Sequence, residues 1–282
     1  MLIDVKKEWE KIIGPFASER LTGGFSHHTF LVTQASRQYV LKIEKGSGGY
    51  LRREYEVLEQ LRGASFLPAP AGFLEAEGYF SFMQSYHRGE NVSKLASHSS
   101  FWLEAYKSLA VMLASEVHSR KGSIREYDRN AEPLQWNIDA LPPGAMHHQA
   151  VEVWKARTST GITFVHGDAG PHNMILNENH RAVLIDWEWA GWNDPMIDIS
   201  WALWNAAFHA PERYSELRRA FLETYVSIRT MNITETNIKA YSLAVIYRAL
   251  GRVRRSPEAI QNRWVKRLDW TLNSNWEKGE PL

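Results

Sequence analysis

The residues of this chain best suited to chemistry lie between two apolar stretches, in Phe164-Val165-His166-Gly167-Asp168-Ala169-Gly170-Pro171-His172-Asn173-Met174-Ile175-Leu176. Polar groups packed this tightly between apolar runs describe a loop that leaves the core and returns to it. Asp168 and Asn173 are five positions apart and on such a loop can face one spot. A carboxylate there can accept a proton, and an amide oxygen can bind a hard metal ion. His166 precedes the turn, and its ring is expected to bond the loop backbone. His172 is either a neighbour of substrate or phosphate, or a surface residue.

Three further clusters carry chemical potential. Ala182-Val183-Leu184-Ile185-Asp186-Trp187-Glu188 is an apolar strand ending in a carboxylate. Asp186 would project from the strand's C-terminal end, either as a ligand for a hard cation or as the cap of a turn. Glu188 shares its face on an extended chain and could reach metal through water or touch substrate. In Tyr39-Val40-Leu41-Lys42-Ile43 a lysine interrupts an apolar strand, and the next helix offers Glu54. The two can pair and steer an ammonium onto phosphates, or else remain solvated separately. Gly23-Gly24, between two β-like runs, lets backbone N–H groups approach phosphate oxygens, or simply makes a hairpin turn.

The elements that must position these groups are readable from periodicity. Residues 4–13 form a short amphipathic helix stopped by Gly14-Pro15. Strands are expected up to Leu21 and over Thr29–Thr33, Tyr39–Ile43, Ala71–Leu74 and Tyr79–Ser85. One helix lies among them, from Tyr50 to Leu61, with Leu51, Tyr55, Leu58 and Leu61 on one face. Beyond Gly89-Glu90-Asn91 the chain turns helical: Phe101–His118, then an irregular excursion over 120–145 and a short helix over 147–157. Strands at Ile162–Val165, Met174–Leu176 and Ala182–Ile185 frame the polar loop. Helices over 199–208, 212–228, 235–251 and 257–274 complete it.

Composition excludes several classes. A chain of 282 residues that is 44% hydrophobic and 23% charged buries a real core, and its length suits two domains. A net charge of +1 gives no global attraction to nucleic acid or an anionic membrane. With no cysteine there are no disulfides and no thiolate metal sites. The first residues place charges where a signal peptide needs an apolar core, and no apolar run reaches the ~18 residues of a membrane span. A cytoplasmic protein is expected.

Taken in order, these clusters resemble the aminoglycoside phosphotransferase and choline kinase superfamily, the small-molecule relatives of protein kinases. The polar loop resembles that family's His-Gly-Asp-x-x-x-x-Asn catalytic loop, and Ile185-Asp186-Trp187-Glu188 its Ile-Asp-Trp/Phe-Glu segment. The resemblance implies an α+β, bilobal, protein-kinase-like fold. Its N-lobe, residues 1–86, would be a small antiparallel sheet with one helix. Its C-lobe, residues 87–282, would be mainly helical, with ATP in the cleft. It implies Asp168 as catalytic base, Asn173 and Asp186 as Mg²⁺ ligands, and Lys42 held by Glu54 against the nucleotide phosphates under the Gly23-Gly24 turn. The backbone around Met83, Gln84 and Tyr86 would bond the adenine edge, and Asp198 would brace the catalytic loop by accepting backbone N–H bonds. Departures are small: His27-His28 follow the glycine turn, and Gln84 stands where Glu is frequent. Gly167 in place of the arginine of protein kinases, with no Asp-Phe-Gly and no Ala-Pro-Glu, argues against a protein substrate.

The partner implied is a small molecule. Ile185–Gly191 looks closest to the choline, ethanolamine and thiamine kinase branch. Trp187 and Trp189, with Glu188 and His172, are candidate substrate contacts. Trp192, Trp201 and Trp204 add aromatic faces for a quaternary ammonium, unless they are core. Residues 235–282 hold nine Lys/Arg against five acids, a balance unfavourable to a polycationic antibiotic and open to an acceptor bearing phosphate or carboxylate. A choline-like acceptor, an antibiotic acceptor and an idle nucleotide-binding module are the three readings.

Overall fold

The alternating apolar pattern of the N-terminal region forms a five-stranded antiparallel sheet of order β1-β2-β3-β5-β4. Its strands are β1 (Ala17–Arg20), β2 (His28–Gln34), β3 (Arg37–Lys45), β4 (Pro70–Ala76) and β5 (Tyr79–Ser85). These elements belong to a computed structural model describing residues 2–21, 27–46, 49–95, 100–121, 144–177 and 181–278. The Gly23-Gly24 turn, Ser47-Gly48 and most of the 120–145 excursion lie outside the described residues.

Period-two alternation decides what each face of this sheet does. Leu41, Ile43, Tyr79 and Met83 point to one face and join Val5 and Trp9 of helix α1 (Leu2–Ile13) in a core with Phe30 and Val32. Trp9 Nε1 donates to Ser81 Oγ at 2.9 Å, satisfying the one polar group of that indole. Phe80 and Phe82 point to the other face. There Tyr55 of α2 (Gly49–Gln60) packs on Phe82 at 5.7 Å and Arg52 lies over Phe80 at 4.6 Å. Lys42, between Leu41 and Ile43, is thereby directed to the α2 side. The buried residues of α2 are Leu51, Glu54, Val57 and Leu58. Tyr55, expected on that stripe, is half-buried at its edge, because Glu54 occupies the centre.

The chain divides into two compact units, Met1–Glu90 with Ile175–Ala190, and Asn91–Met174 with Gly191–Leu282. The first unit also holds most of a small sheet of order β6-β8-β9, formed by β6 (Glu90–Asn91), β8 (Met174–Leu176) and β9 (Ala182–Leu184). The second is mainly helical, with α3 (Phe101–Met112), α4 (Ala145–Lys155), α5 (Met196–His209), α6 (Tyr214–Ile228), α7 (Glu235–Val253) and α8 (Glu258–Asn273). Helix α5 is buried from Met196 to Ala207 and packs on α7, while α3 packs on α6 and α7 on α8. Asp194 caps the start of α5, its Oδ1 accepting Met196 N–H at 3.0 Å, and Thr234 caps α7 by accepting Asn237 N–H at 3.2 Å.

Two features depart from the sequence expectation. The helix expected over Phe101–His118 stays α-helical only to Met112, and then widens into a π turn over Leu113–Val117. A strand not anticipated, β10 (Gly191–Asn193), pairs antiparallel with β7 (Thr163–Val165). Three residues are too few for periodicity to register. Among the described residues no helix is long and apolar enough to cross a membrane.

The helical core is aromatic. Trp201 and Trp204 are both buried and stacked at 4.7 Å, and Trp204 Nε1 donates to Thr271 Oγ1 at 2.7 Å. Replacing Trp204 by Ala should lower unfolding free energy by about 3–5 kcal/mol, read by chemical denaturation. A loss below about 1 kcal/mol would mean that this stack does not hold the helices.

Candidate active site

In the first unit, the fold turns Lys42 toward two carboxylates. Its Nζ lies 2.7 Å from both oxygens of Glu54 and 2.9 Å from Asp186 Oδ1. Lys42 and Glu54 are buried, whereas the Asp186 side chain keeps 32% of its surface exposed. Burial works against the charge on Lys42, but Asp186 and Glu54 outweigh it and raise its pKa. For Glu54 burial pushes the carboxyl up, helped by Asp186, and the ammonium pulls it back. Lys42 is therefore a fixed cation anchored from below by Glu54, with Asp186 as its exposed partner. Asp186 has φ +67°, a left-handed conformation that aspartate tolerates and most side chains do not, at the entry to a turn of 3₁₀-helix over Trp187–Trp189.

The neighbours of Asp186 differ from expectation. Trp187, a candidate substrate contact, is wholly enclosed: its indole donates to Leu184 O at 2.9 Å and packs on Phe66 at 5.8 Å, so it is a core residue. Glu188 is also buried, and its charge acts on Glu54. Trp189 is half-buried against Tyr50, with ring centroids 4.9 Å apart. The segment expected to bond adenine is committed to the sheet at two points. Ser85 N–H donates to Ala69 O at 2.8 Å and Tyr86 N–H to Gln38 O at 3.2 Å. Met83 and Gln84 are buried in β5, and Gln84 Oε1 has no hydrogen-bond partner among the described residues.

In the second unit, β7 delivers His166 and the loop behind it. Asp198, fully buried on α5, accepts His166 N–H and Gly167 N–H, each at 2.7 Å. His118 Nε2 stands 3.1 Å from the same carboxylate, and His118 Nδ1 2.7 Å from Tyr225 Oη. The π turn ends at His118, whose N–H bonds Leu113 O at 2.8 Å; the extra residue in that turn sets the ring's direction. Gly167 has φ +82°, which a side chain would strain, and its carbonyl accepts from Arg248 of α7. His166 Nδ1 accepts Asp168 N–H at 3.2 Å, the backbone bond expected of it.

So braced, the loop brings Asp168, His172 and Asn173 together. Asn173 Nδ2 donates to Asp168 O at 3.0 Å and to Asp168 Oδ2 at 2.9 Å. His172 Nε2 is 3.3 Å from Asp168 Oδ2. Asn91 Nδ2 donates to His172 O at 2.6 Å and ties the 3₁₀ turn of Pro171–Asn173 in place. A Cβ on Gly170 would stand 2.7 Å from the His172 ring and would force that ring to shift. Asp168 keeps 21% of its side chain exposed. Burial alone would raise its pKa, but His172, then Arg248 and His166, outweigh it and hold the carboxyl below the ordinary range. The group is an ionised acceptor of protons with its orientation fixed.

Sequence reasoning missed His118 and gave Arg248 no individual role. A lone histidine at a helix end carries no pattern, and Arg248 lay within a general basic surplus. The aromatic faces proposed for a quaternary ammonium are also spoken for, since Trp201 and Trp204 close on each other inside the core.

An antiparallel sheet carrying a buried Lys–Glu pair, followed by a helical unit whose braced loop presents Asp and Asn, defines a protein-kinase-like small-molecule phosphotransferase. The chain belongs to the phosphotransferase enzyme family (APH), which it matches over residues 18–230. Comparison by sequence with curated proteins finds none that matches. Among solved structures it is similar to aminoglycoside phosphotransferase APH(4)-Ia, with TM-score 0.73 and 14% identity over 96% of this chain and 98% of that one. It is also similar to choline kinase LicA from Streptococcus pneumoniae, with TM-score 0.73 and 19% identity over 95% and 98%. A thermostable APH(4)-Ia mutant in ternary complex with ADP and hygromycin B gives TM-score 0.71 and 16% identity over 95% and 98%.

Asp198 is a buried carboxylate whose three donors replace water, so its loss leaves those donors stranded. Asp198→Ala should cost about 3–5 kcal/mol of stability. Hydrogen exchange at the His166 and Gly167 amides should accelerate more than that of the N-terminal sheet. Unchanged exchange at those two amides would refute the bracing role.

Proposed function

We propose that this chain is an ATP-dependent kinase that moves the γ-phosphoryl group to a hydroxyl of a small molecule. The observation that carries this reading is the state of Asp168: ionised, partly exposed, and held by Asn173, His172 and a loop pinned at Asp198. Such a carboxylate is suited to accept the proton of an attacking hydroxyl. Lys42, anchored by Glu54, would hold the nucleotide phosphates.

Asn173 and Asp186 would each offer an oxygen suited to magnesium. Both amide protons of Asn173 are directed to Asp168, which leaves its Oδ1 for a hard cation. Asp186 keeps 32% of its side chain exposed, with Oδ1 on Lys42. The ion, when bound, would offset negative charge on the transferred phosphoryl. Positioning and fixed charge would then supply most of the catalysis, since phosphoryl transfer asks little covalent chemistry of the protein. A cytoplasmic setting accords with ATP as donor and with a chain that has no cysteine.

The antibiotic kinase is the second reading, favoured by the fold similarity to APH(4)-Ia and opposed by the basic surplus of the C-terminal helices. The choline-like acceptor loses the cage that Trp201 and Trp204 were to build. An idle nucleotide-binding module is disfavoured because Lys42, Asp168, Asn173 and Asp186 are all present.

Asp168→Asn should lower kcat by about 10²–10⁴-fold with Mg·ATP affinity retained, measured by ADP release and nucleotide titration. Asp186→Ala should instead weaken Mg·ATP binding by about tenfold or more. A fully active Asp168→Asn enzyme would remove the base from this scheme. The pH behaviour has a defined sign. The pKa of Asp168 is lowered below its unfolded value. Its ionisation therefore stabilises the fold above the unfolded pKa, and that contribution is lost as pH falls through the folded value. Arg248→Ala removes one lowering charge and should shift the acid limb of kcat/KM to higher pH. An unmoved acid limb would show that the Arg248 charge does not act on the base.

A further inference from the structure

On the second unit an arginine and a histidine stand apart from the residues used so far. Arg267 of α8 is half-buried, with its guanidinium 4.5 Å from the Trp264 ring centroid and 5.4 Å from that of Phe208. It has no carboxylate partner among the described residues. Asp269, its nearest acid in sequence, is exposed and accepts from Asn273 at 2.8 Å. His209, the last residue of α5, packs edge-on against Phe208 at 5.2 Å, and its ring makes no hydrogen bond among the described residues. His209 is exposed, and partial burial of its ring, then the charges of Arg267 and His172, pull it below its ordinary pKa, so it meets an anion as a neutral N–H donor and not as a second cation. Burial, then Arg263, lowers Arg267.

A guanidinium lying over aromatic rings makes no hydrogen bond to them, so its planar N–H fork stays available to grip a carboxylate or phosphate with two bonds. Its partly desolvated charge is an unmet demand for an anion. This pair is tied to the catalytic loop through α5. A Cβ on Gly170 would meet both the His172 ring and, at 3.1 Å, Asn205 Nδ2. Asn205 and His209 are four residues apart on that helix, about 6 Å along its axis.

We propose that Arg267 and His209 form an anion-binding subsite for the acceptor, which is therefore a hydroxyl compound carrying a carboxylate or phosphate several bonds from the hydroxyl phosphorylated. This rests on the reading of Asp168 as the base of a kinase. The attacking hydroxyl gives its proton to Asp168 as its oxygen bonds phosphorus. The bond from phosphorus to the β–γ bridging oxygen breaks, and ADP leaves with that electron pair. The subsite takes no part in these changes and acts by holding the acceptor.

The test uses the full chain with Mg²⁺ and a non-hydrolysable ATP analogue. It is titrated calorimetrically with D-gluconate, with sorbitol as its neutral counterpart and with choline, and ADP release with ATP is measured in parallel. Gluconate should bind at least about tenfold more tightly than sorbitol or choline. Arg267→Gln should abolish that preference and Arg267→Lys retain part of it, with melting temperatures confirming that both variants fold. Choline or sorbitol binding as tightly as gluconate, or a preference that survives Arg267→Gln, overturns the subsite. ADP release with the neutral or cationic compound alone sinks the subsite and leaves phosphotransfer standing. Tight gluconate binding with no ADP release from any acceptor does the reverse.

Discussion

One buried carboxylate organises the catalytic loop. Asp198 has no exposed surface, and isolated charge in such a place is prohibitively costly. Two backbone N–H groups and the His118 ring make it tolerable, and each is thereby fixed in place. Asp168 follows these amides directly, so its orientation is inherited from that buried carboxylate. Helix α5 supplies the carboxylate, and its own start is capped by Asp194, which also binds Tyr241 Oη at 2.7 Å and the Thr160 backbone at 2.8 Å. The loop is therefore hydrogen-bonded to the helix core behind it.

The first unit solves a related problem differently. A lysine within a sheet needs compensation, and Glu54 arrives from α2 to provide it. Glu54 is more deeply buried than Asp186, and both its oxygens lie on the ammonium. Asp186 reaches the same lysine from a chain position 144 residues later. Its left-handed backbone turns the carboxylate where an ordinary strand continuation would not. Both arrangements place strain or buried charge where an enzyme of this family needs a fixed electrostatic field.

In the second unit, aromatic residues serve two purposes. Trp201, Trp204 and Trp276 are buried and hold the helices together. Phe208 and Trp264, less buried, carry a guanidinium on their faces. Similar folds act on very different acceptors, as the likeness to both an aminoglycoside phosphotransferase and a choline kinase illustrates. The fold by itself therefore does not name the acceptor.

By itself the sequence determined the family, the order of elements and the identity of the polar groups. Strands and helices are local periodicities, and Asp168-x-x-x-x-Asn173 and Ile185-Asp186-Trp187-Glu188 are short contiguous patterns. Even the Lys42–Glu54 pairing was open to proposal, since one strand and the next helix span only twelve residues. Tertiary structure alone decided which of these groups are reached by solvent and which are enclosed. It made Trp187 and Glu188 buried residues, committed the Tyr86 amide to Gln38, and widened a helix by one residue so that His118 meets Asp198. The reason is physical: burial and partner choice depend on side chains brought from distant parts of the chain, and no window of neighbouring residues contains them.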